Sequence, residues 1–166
     1  MTKQKERARG GFTLVEVLCA IVVLLLVSGL MVVGIRTAVK AYNTEVMHSE
    51  AQVLCSTIRT KANDELRYAG TVETKGSTIS FFSQNYGKSV FYSSNEEGQI
   101  MLGENKILPS KSYPYSMRAE VEIKSYDTES RIFTVHVKVT QENESSVLAE
   151  TDFQVKKLNE TAASDE

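Results

Sequence analysis

The sequence predicts an α+β chain: a long N-terminal helix, half able to cross a membrane and half amphipathic, packed on an antiparallel β-sheet headpiece. Three observations lead there. Val17–Ile35 are 19 consecutive residues without a formal charge. Beyond Arg36 apolar residues recur at three- or four-residue steps as far as Ala69, and after Gly70 the apolar period falls to two. At 166 residues the chain has room for one modest core plus an accessory element.

The chain opens on a basic leader. Lys3, Lys5, Arg7 and Arg9 against Glu6 make residues 1–11 +3, leaving 15 of the 19 basic and 20 of the 21 acidic residues, net −5, to the remainder. Basic residues ahead of an apolar span place the N-terminus in the cytoplasm and the bulk of the chain outside. As a helix the uncharged run covers about 28 Å, close to the ~30 Å hydrocarbon core of a bilayer. A secretory signal has a shorter apolar core of ~7–15 residues and a small-x-small cleavage site. Ser28-Gly29 and Val33-Gly34 match that site poorly, and helix-compatible sequence follows directly.

One charge interrupts the greasy segment before Arg36. Residues 9–17 read Arg-Gly-Gly-Phe-Thr-Leu-Val-Glu-Val. An ionised carboxylate left in hydrocarbon costs several kcal/mol, so Glu16 is expected either to meet a partner or to snorkel to the headgroups.

The run from Gly10 to Leu18, behind its basic leader, resembles the processing site of type IV prepilins and pseudopilins. The resemblance covers about residues 7–40 and is only architectural beyond. It implies cleavage between Gly11 and Phe12 by a prepilin peptidase on the cytoplasmic side, N-methylation of Phe12, and an apolar helix that stays on the mature protein. It also implies that Glu16 compensates the freed amine of an adjacent subunit's Phe12. Opposite charges attract strongly at low dielectric and either alone is penalised there, so such a pair would gauge register more than add net stability. Many pilins carry a proline midway along this stretch. Here Gly29 and Gly34 take that role, each weakening a helix by up to about 1 kcal/mol relative to alanine, so local melting on assembly stays open. Their spacing is not a GxxxG pair.

The helical rhythm continues through Val39, Tyr42, Val46, Leu54, Ile58, Ala62, Leu66 and Ala69, interrupted at His48-Ser49-Glu50, with Lys40, Glu45, Gln52, Arg59, Lys61, Asp64 and Glu65 on the other faces. No proline precedes residue 109 and Gly70 is a natural stop. One helix from about Phe12 to Ala69 is expected, the alternative being two helices broken near Gly34 or Asn43. On one helix Cys19 and Cys55 lie roughly 54 Å apart, beyond disulfide reach. Each is expected to be a small buried or packing residue.

In the headpiece, Ser77–Ser83 and Ser89–Ser94 read as strands around the turn Gln84–Gly87, and Asn95–Gly98 turns into Gln99–Gly103. Leu108–Ser116 holds both prolines and reads as a loop. The three best strands are Met117–Tyr126, Arg131–Gln141 and Val147–Lys157. They place Met117, Ala119, Val121 and Ile123; Phe133, Val135, Val137 and Val139; and Val147, Ala149, Phe153 and Val155 on one face. Leu148 falls among the outward residues of the third strand. The connections Asp127–Ser130 and Glu142–Ser146 are short, so this is an antiparallel meander with one buried face. That face needs a cover, and the striped helix 39–69 supplies it.

Signs of catalysis are lacking. The two histidines, His48 and His136, have no metal-ligand neighbour at helical or strand spacing, and there is no nucleophile elbow, phosphate loop or dinucleotide fingerprint. Glu120, Glu122, Glu150 and Asp152 fall on solvent faces of adjacent strands. The turn acids Asp127, Glu129, Glu142 and Glu144 match no calcium loop. Tyr86, Tyr92, Tyr113 and Tyr115 either form a contact patch or cap the sheet. No cofactor and no metal is expected.

The expected organisation is a removed leader over residues 1–11, a transmembrane or filament-core helix over 12–35, an amphipathic continuation over 36–69, a β headpiece over 70–158 and a solvated tail over 159–166. The resemblance makes the chain a non-enzymatic minor pilin or pseudopilin. Its implied partners are the prepilin peptidase, sibling pilin or pseudopilin subunits, the lipid bilayer and, indirectly, an inner-membrane assembly platform with its ATPase. The lean towards a minor subunit rests on a headpiece with several strands and no disulfide-stapled terminal loop. A mildly acidic exposed portion argues against nucleic acid as a partner, with a DNA-uptake pilus the exception. The rivals are a single-pass tethered extracellular binding module and a secreted enzyme with an ordinary signal peptide.

Overall fold

The computed structural model describes residues 12–142 and 144–159. The expected leader over residues 1–11, with Gly11, and the part of the expected tail beyond Asn159 lie outside the described residues. The fold is α+β: one helix, α1 (Leu14–Arg67), followed by antiparallel sheets. The chain divides into two units, Met1–Thr44 and Glu45–Glu166.

In the first unit α1 carries no interior proline and passes through Gly29 and Gly34 without a break. Its apolar side chains from Leu14 to Val39 are exposed. Ser28 Oγ donates to Leu24 O at 2.7 Å and Thr37 Oγ1 to Val33 O at 3.0 Å. The two hydroxyls inside and just after the greasy run are thereby satisfied by the helix itself, as a nonpolar surrounding requires.

In the second unit α1 continues to Arg67 and buries Ala51, Leu54, Cys55, Ile58, Ala62 and Leu66. The stripe read from the sequence is corrected at its start: Val39 and Tyr42 are 53% and 68% exposed, and Val46 is half-buried. Ala51 and Cys55, absent from that stripe, are core instead. At 3.6 residues per turn Val39, Tyr42 and Val46 fall more than about 100° around the helix from the face of Ala51, Leu54, Ile58 and Ala62, because the stripe steps eight residues from Val46 to Leu54. Gly70 ends the helical segment by close approach. Its N–H donates to Phe82 O at 2.8 Å, and a Cβ on it would lie 3.0 Å from Phe82 Cβ.

Among the described residues nine strands follow, in three three-stranded antiparallel sheets. The first is β1 (Val72–Lys75), β2 (Thr78–Ser83) and β3 (Lys88–Val90); the second is β4 (Tyr92–Ser94), β5 (Ile100–Leu102) and β6 (Asn105–Lys106). The third, the meander, is β7 (Met117–Asp127), β8 (Ile132–Gln141) and β9 (Glu144–Lys156), in the order β7-β8-β9. The expected strand Ser89–Ser94 is divided at Phe91, so that Val90 pairs with Phe81 and Tyr92 with Leu102 in separate sheets. β1 and β6 have no counterpart in the sequence reading. The loop Leu108–Ser116 contains two 3-10 turns, Ser110–Ser112 and Pro114–Ser116.

The meander keeps its expected inward faces on β7 and β8. On β9 one assignment is reversed: Val147 is 42% exposed and Leu148 8%. Val139 pairs with Ala149 but Thr140 with Val147, so Leu148 is the extra residue of a bulge and turns to the core. Phe81, Val90, Ile100, Leu102, Met117, Phe133, Val135, Val137 and Val139 form one hydrophobic cluster with the head-side residues of α1. Burial of each large apolar side chain contributes roughly 1.5–3 kcal/mol against the entropy of ordering it. Polar ties fix the same helix to the sheets. Glu65 accepts from Ser83 Oγ at 3.0 Å and Asn85 Nδ2 at 2.6 Å, and Arg67 O accepts from Leu158 N at 2.8 Å. The Arg59 guanidinium stacks 5.4 Å from the Phe153 ring centre.

Candidate functional site

The residues singled out at the N-terminus converge on the first turn of α1. Phe12 and Thr13 are non-helical, Phe12 is 87% exposed, and the helix begins at Leu14. Thr13 stands at the N-cap and Glu16 at the third helical position. Glu16 N donates to Thr13 Oγ1 at 3.3 Å, while Glu16 Oε2 accepts from Thr13 N at 3.1 Å and from Thr13 Oγ1 at 3.1 Å. This is a reciprocal capping box, in which each side chain satisfies a backbone donor that the start of a helix leaves open. The Thr-x-x-Glu spacing ahead of an apolar run announces it in the sequence. The sequence reading used Glu16 only as a charge and missed the cap.

Around Glu16 an open groove of about 350 Å³ is lined by Phe12, Glu16, Val17, Ala20, Ile21 and Leu24. A second, of about 670 Å³, runs from Cys19 to Met31 along the same segment. Both are walled almost wholly by hydrocarbon, and α1 is long and apolar enough to cross a membrane by length and composition. Cys19, expected to be buried or packing, is exposed within this single chain, whereas Cys55 is buried as expected; both are free thiols. Burial pushes the Cys55 thiol up, with Arg59 opposing.

The headpiece residues weighed for chemistry have structural roles. His48 Nδ1 lies 3.1 Å from Leu148 O, tying helix to β9. His136 is only part exposed and lies on β8 opposite Glu122 and Asp152, with Nδ1 3.0 Å from Asp152 Oδ1. These acidic neighbours come from the two flanking strands, where spacing along β8 itself does not reveal them. Lys124 Nζ occupies the same Asp152 oxygen at 2.7 Å, and no group of three metal-ligating side chains exists among the described residues. Lys124, then His136, hold the Asp152 carboxyl below its usual range. Asp127 is held low by Ser130 and the Glu129 N–H as it caps its own turn.

The tyrosines divide. Tyr92 and Tyr113 are packed against the core, and the Tyr113 hydroxyl accepts from Ile100 N at 3.0 Å; Tyr86 and Tyr115 are exposed. Burial, then Glu65 and Tyr86, push the Tyr92 hydroxyl far up. Lys157, at the end of the third predicted strand, is only 2% exposed. Burial, then Arg131, lower its amine. A cleft of about 290 Å³ lies between Glu50, Val53, Leu54 and Thr57 of α1 and Leu108, Lys111, Ser112 and Pro114 of the loop. No periodicity in the chain announces it.

Neither a curated protein nor a solved structure matches the chain. A family model does match, described as the prokaryotic N-terminal methylation motif, over residues 7–32. Proteins bearing that motif are structural subunits. The motif implies prepilin peptidase processing and assembly with other subunits, and with one N-terminal apolar helix it fits membrane anchoring. Over residues 7–32 the chain thus carries the type IV prepilin signature, joined to a pilin-like α+β architecture.

Proposed function

We propose that the protein is a non-enzymatic filament subunit, a minor pilin or pseudopilin of a type IV pilus or type II secretion-like system. A prepilin peptidase cuts it after Gly11, Phe12 becomes the N-methylated terminus, and α1 then serves first as membrane anchor and later as filament core. The basic leader keeps the N-terminus cytoplasmic and the head outside. Glu16 meets the Phe12 amine of a neighbouring subunit. Sibling pilins or pseudopilins, an assembly platform and its ATPase complete the partners.

The observation that carries this reading is the segment behind the matched motif: exposed hydrocarbon from Val17 to Ile35, one carboxylate beside Phe12, and no charge between. Exposed apolar area on that scale requires lipid or other subunits to cover it. The test is the mass of the mature chain. A polypeptide beginning at methylated Phe12 is expected, and Gly11→Ala should leave a precursor eleven residues longer. An intact Met1 in the wild type would favour a tethered binding module, and a start beyond residue 29 a secreted protein.

A further inference from the structure

We propose that the polar half of α1 docks on the same half of a second copy of this chain, the helices parallel and offset by nine residues. Arg36 and Glu50 of one copy then meet Glu45 and Arg59 of the other. The inference rests on the filament reading above and names a contact surface and register that it leaves open.

Its basis is the placement of charge. Arg36, Glu50 and Arg59 are exposed and Glu45 is half-buried, and among the described residues none of the four has an ion pair. Nine residues separate Arg36 from Glu45, and nine separate Glu50 from Arg59. That spacing is about two and a half helical turns, so the members of each pair lie on opposite sides of α1. Arg36 and Glu50 are about four whole turns apart and share one side, and Glu45 and Arg59 share the other. A side reading plus then minus therefore meets a side reading minus then plus once a parallel copy slides by about 13.5 Å. Because the two sides differ, the contact is head-to-tail and repeats from copy to copy instead of closing on a pair. The Phe12 amine and Glu16 are four residues apart, a shorter offset, so that pairing falls to a different neighbour in the bundle.

Shape agrees with charge. Between Arg36 and Glu50 the first side carries Val39, 53% exposed, and half-buried Val46. Between Glu45 and Arg59 the second side carries the short, exposed Ser49 and Ser56. At the nine-residue offset each valine comes level, within a residue, with one of those serines, a branched side chain over a short one. Glu50 also borders the cleft of about 290 Å³ beneath the Leu108–Ser116 loop, where Val53, Leu54 and Leu108 wall the space beside it. Lys111 shares that cleft and forms no ion pair among the described residues. The guanidinium that enters is already placed, since Arg59 stacks on Phe153 of its own headpiece and keeps its N–H donors for a carboxylate.

The experiment is charge reversal in the full chain, in cells that supply the assembly machinery. Incorporation is scored as the ratio of sheared filament to mature subunit remaining in the membrane, which removes effects on processing and subunit level. Arg36→Glu and Glu45→Arg are each expected to lower that ratio about five-fold, the scale of one exposed ion pair, and the double reversal to return it to within about two-fold of wild type. Independently, Arg36→Cys/Glu45→Cys in a Cys19→Ala background should form disulfide-linked multimers when sheared filaments are oxidised. The two positions are too far apart to bridge within one helix, and Arg36→Cys/Ala41→Cys, with the wrong offset, should stay monomeric. A double reversal no better than either single one, or oxidised filaments that lack the 36-to-45 link, overturns the proposal while leaving the filament reading standing. A wild-type chain that matures at Phe12 yet never enters a filament overturns that reading and takes this one with it.

Discussion

The two ends of α1 share one continuous backbone and opposite fates. From Leu14 to Thr44 the helix shows its apolar side chains outward all round. From Glu45 to Arg67 it turns Ala51, Leu54, Ile58, Ala62 and Leu66 into a core and leaves its charges outside. A helix that is apolar on every face must be covered by something outside the chain, whereas a striped helix is completed by its own sheet. The first half is thus a surface left for something outside the chain, under the proposed function lipid or sibling subunits, and the second is part of a domain. Glu16 is the charged residue of the first half before Arg36, and the chain itself already gives it two donors.

The sharpest test of that contrast is to cut the same amount of hydrocarbon from each half. Ile58→Ala removes a side chain that is 1% exposed, and should cost the headpiece about 2–5 kcal/mol through lost burial and the cavity left behind. Leu25→Ala removes one that is 64% exposed, and should leave headpiece stability within about 0.5 kcal/mol of wild type. Denaturant unfolding of the full chain in mild detergent, followed by headpiece tyrosine fluorescence, measures both. Equal losses would mean that the two halves are not energetically distinct.

How much of this was legible depended on the range of the signal. The helix and the three long strands announce themselves because their apolar periods persist over ten or more residues. β1 does not, because Val72-Glu73-Thr74-Lys75 is mostly exposed and strongly polar. β6 is two residues long and has no period to detect. Alternation counted along one strand puts Leu148 outward, while the bulge that turns it inward is set by pairing with Val139 and Thr140 on another. The capping box was present in the spacing of Thr13 and Glu16 but hidden by a second explanation for the same carboxylate. Phe12 and Glu16 stand out in the sequence, whereas the part of Thr13 and its hydrogen bonds with Glu16 do not.

Glycines extend the comparison with a smaller effect and a change of sign. Gly98 has φ +71°, and an added Cβ would lie 2.5 Å from the Arg118 side chain. That side chain crosses beneath the turn to reach the Glu96 carbonyl and Glu142. Gly98→Ala combines left-handed strain with that clash, and should cost about 1–3 kcal/mol in the same unfolding experiment. Gly29 lies in the helical first half with open space around it. Gly29→Ala should raise helicity in micelles, by up to about 1 kcal/mol of propensity, and leave headpiece unfolding unchanged. Circular dichroism reads the first effect. A Gly29→Ala that disturbed the headpiece would couple the two regions after all.

The smallest expected effect concerns the carboxylates of the second region, whose partners are side chains of the same domain. Asp152 lies 2.7 Å from Lys124 Nζ and 3.0 Å from His136 Nδ1, and its carboxyl is held low by those two groups in that order. A carboxyl lowered in the folded state binds fewer protons there than in the unfolded chain, so its contribution is complete above the unfolded value near 3.9. The contribution falls away as the pH drops through the lower folded value. Wild-type headpiece stability should therefore decline below about pH 4, and Asp152→Asn should flatten that decline by losing the small contribution at pH 7 and converging on wild type in acid. Asp127→Asn should act in the same direction, since Ser130 and the Glu129 amide lower that carboxyl. Both groups are exposed and solvent screens them, which keeps the effect below that of a core substitution. Acid unfolding of the two variants with an unchanged slope would assign the acid sensitivity elsewhere in the domain.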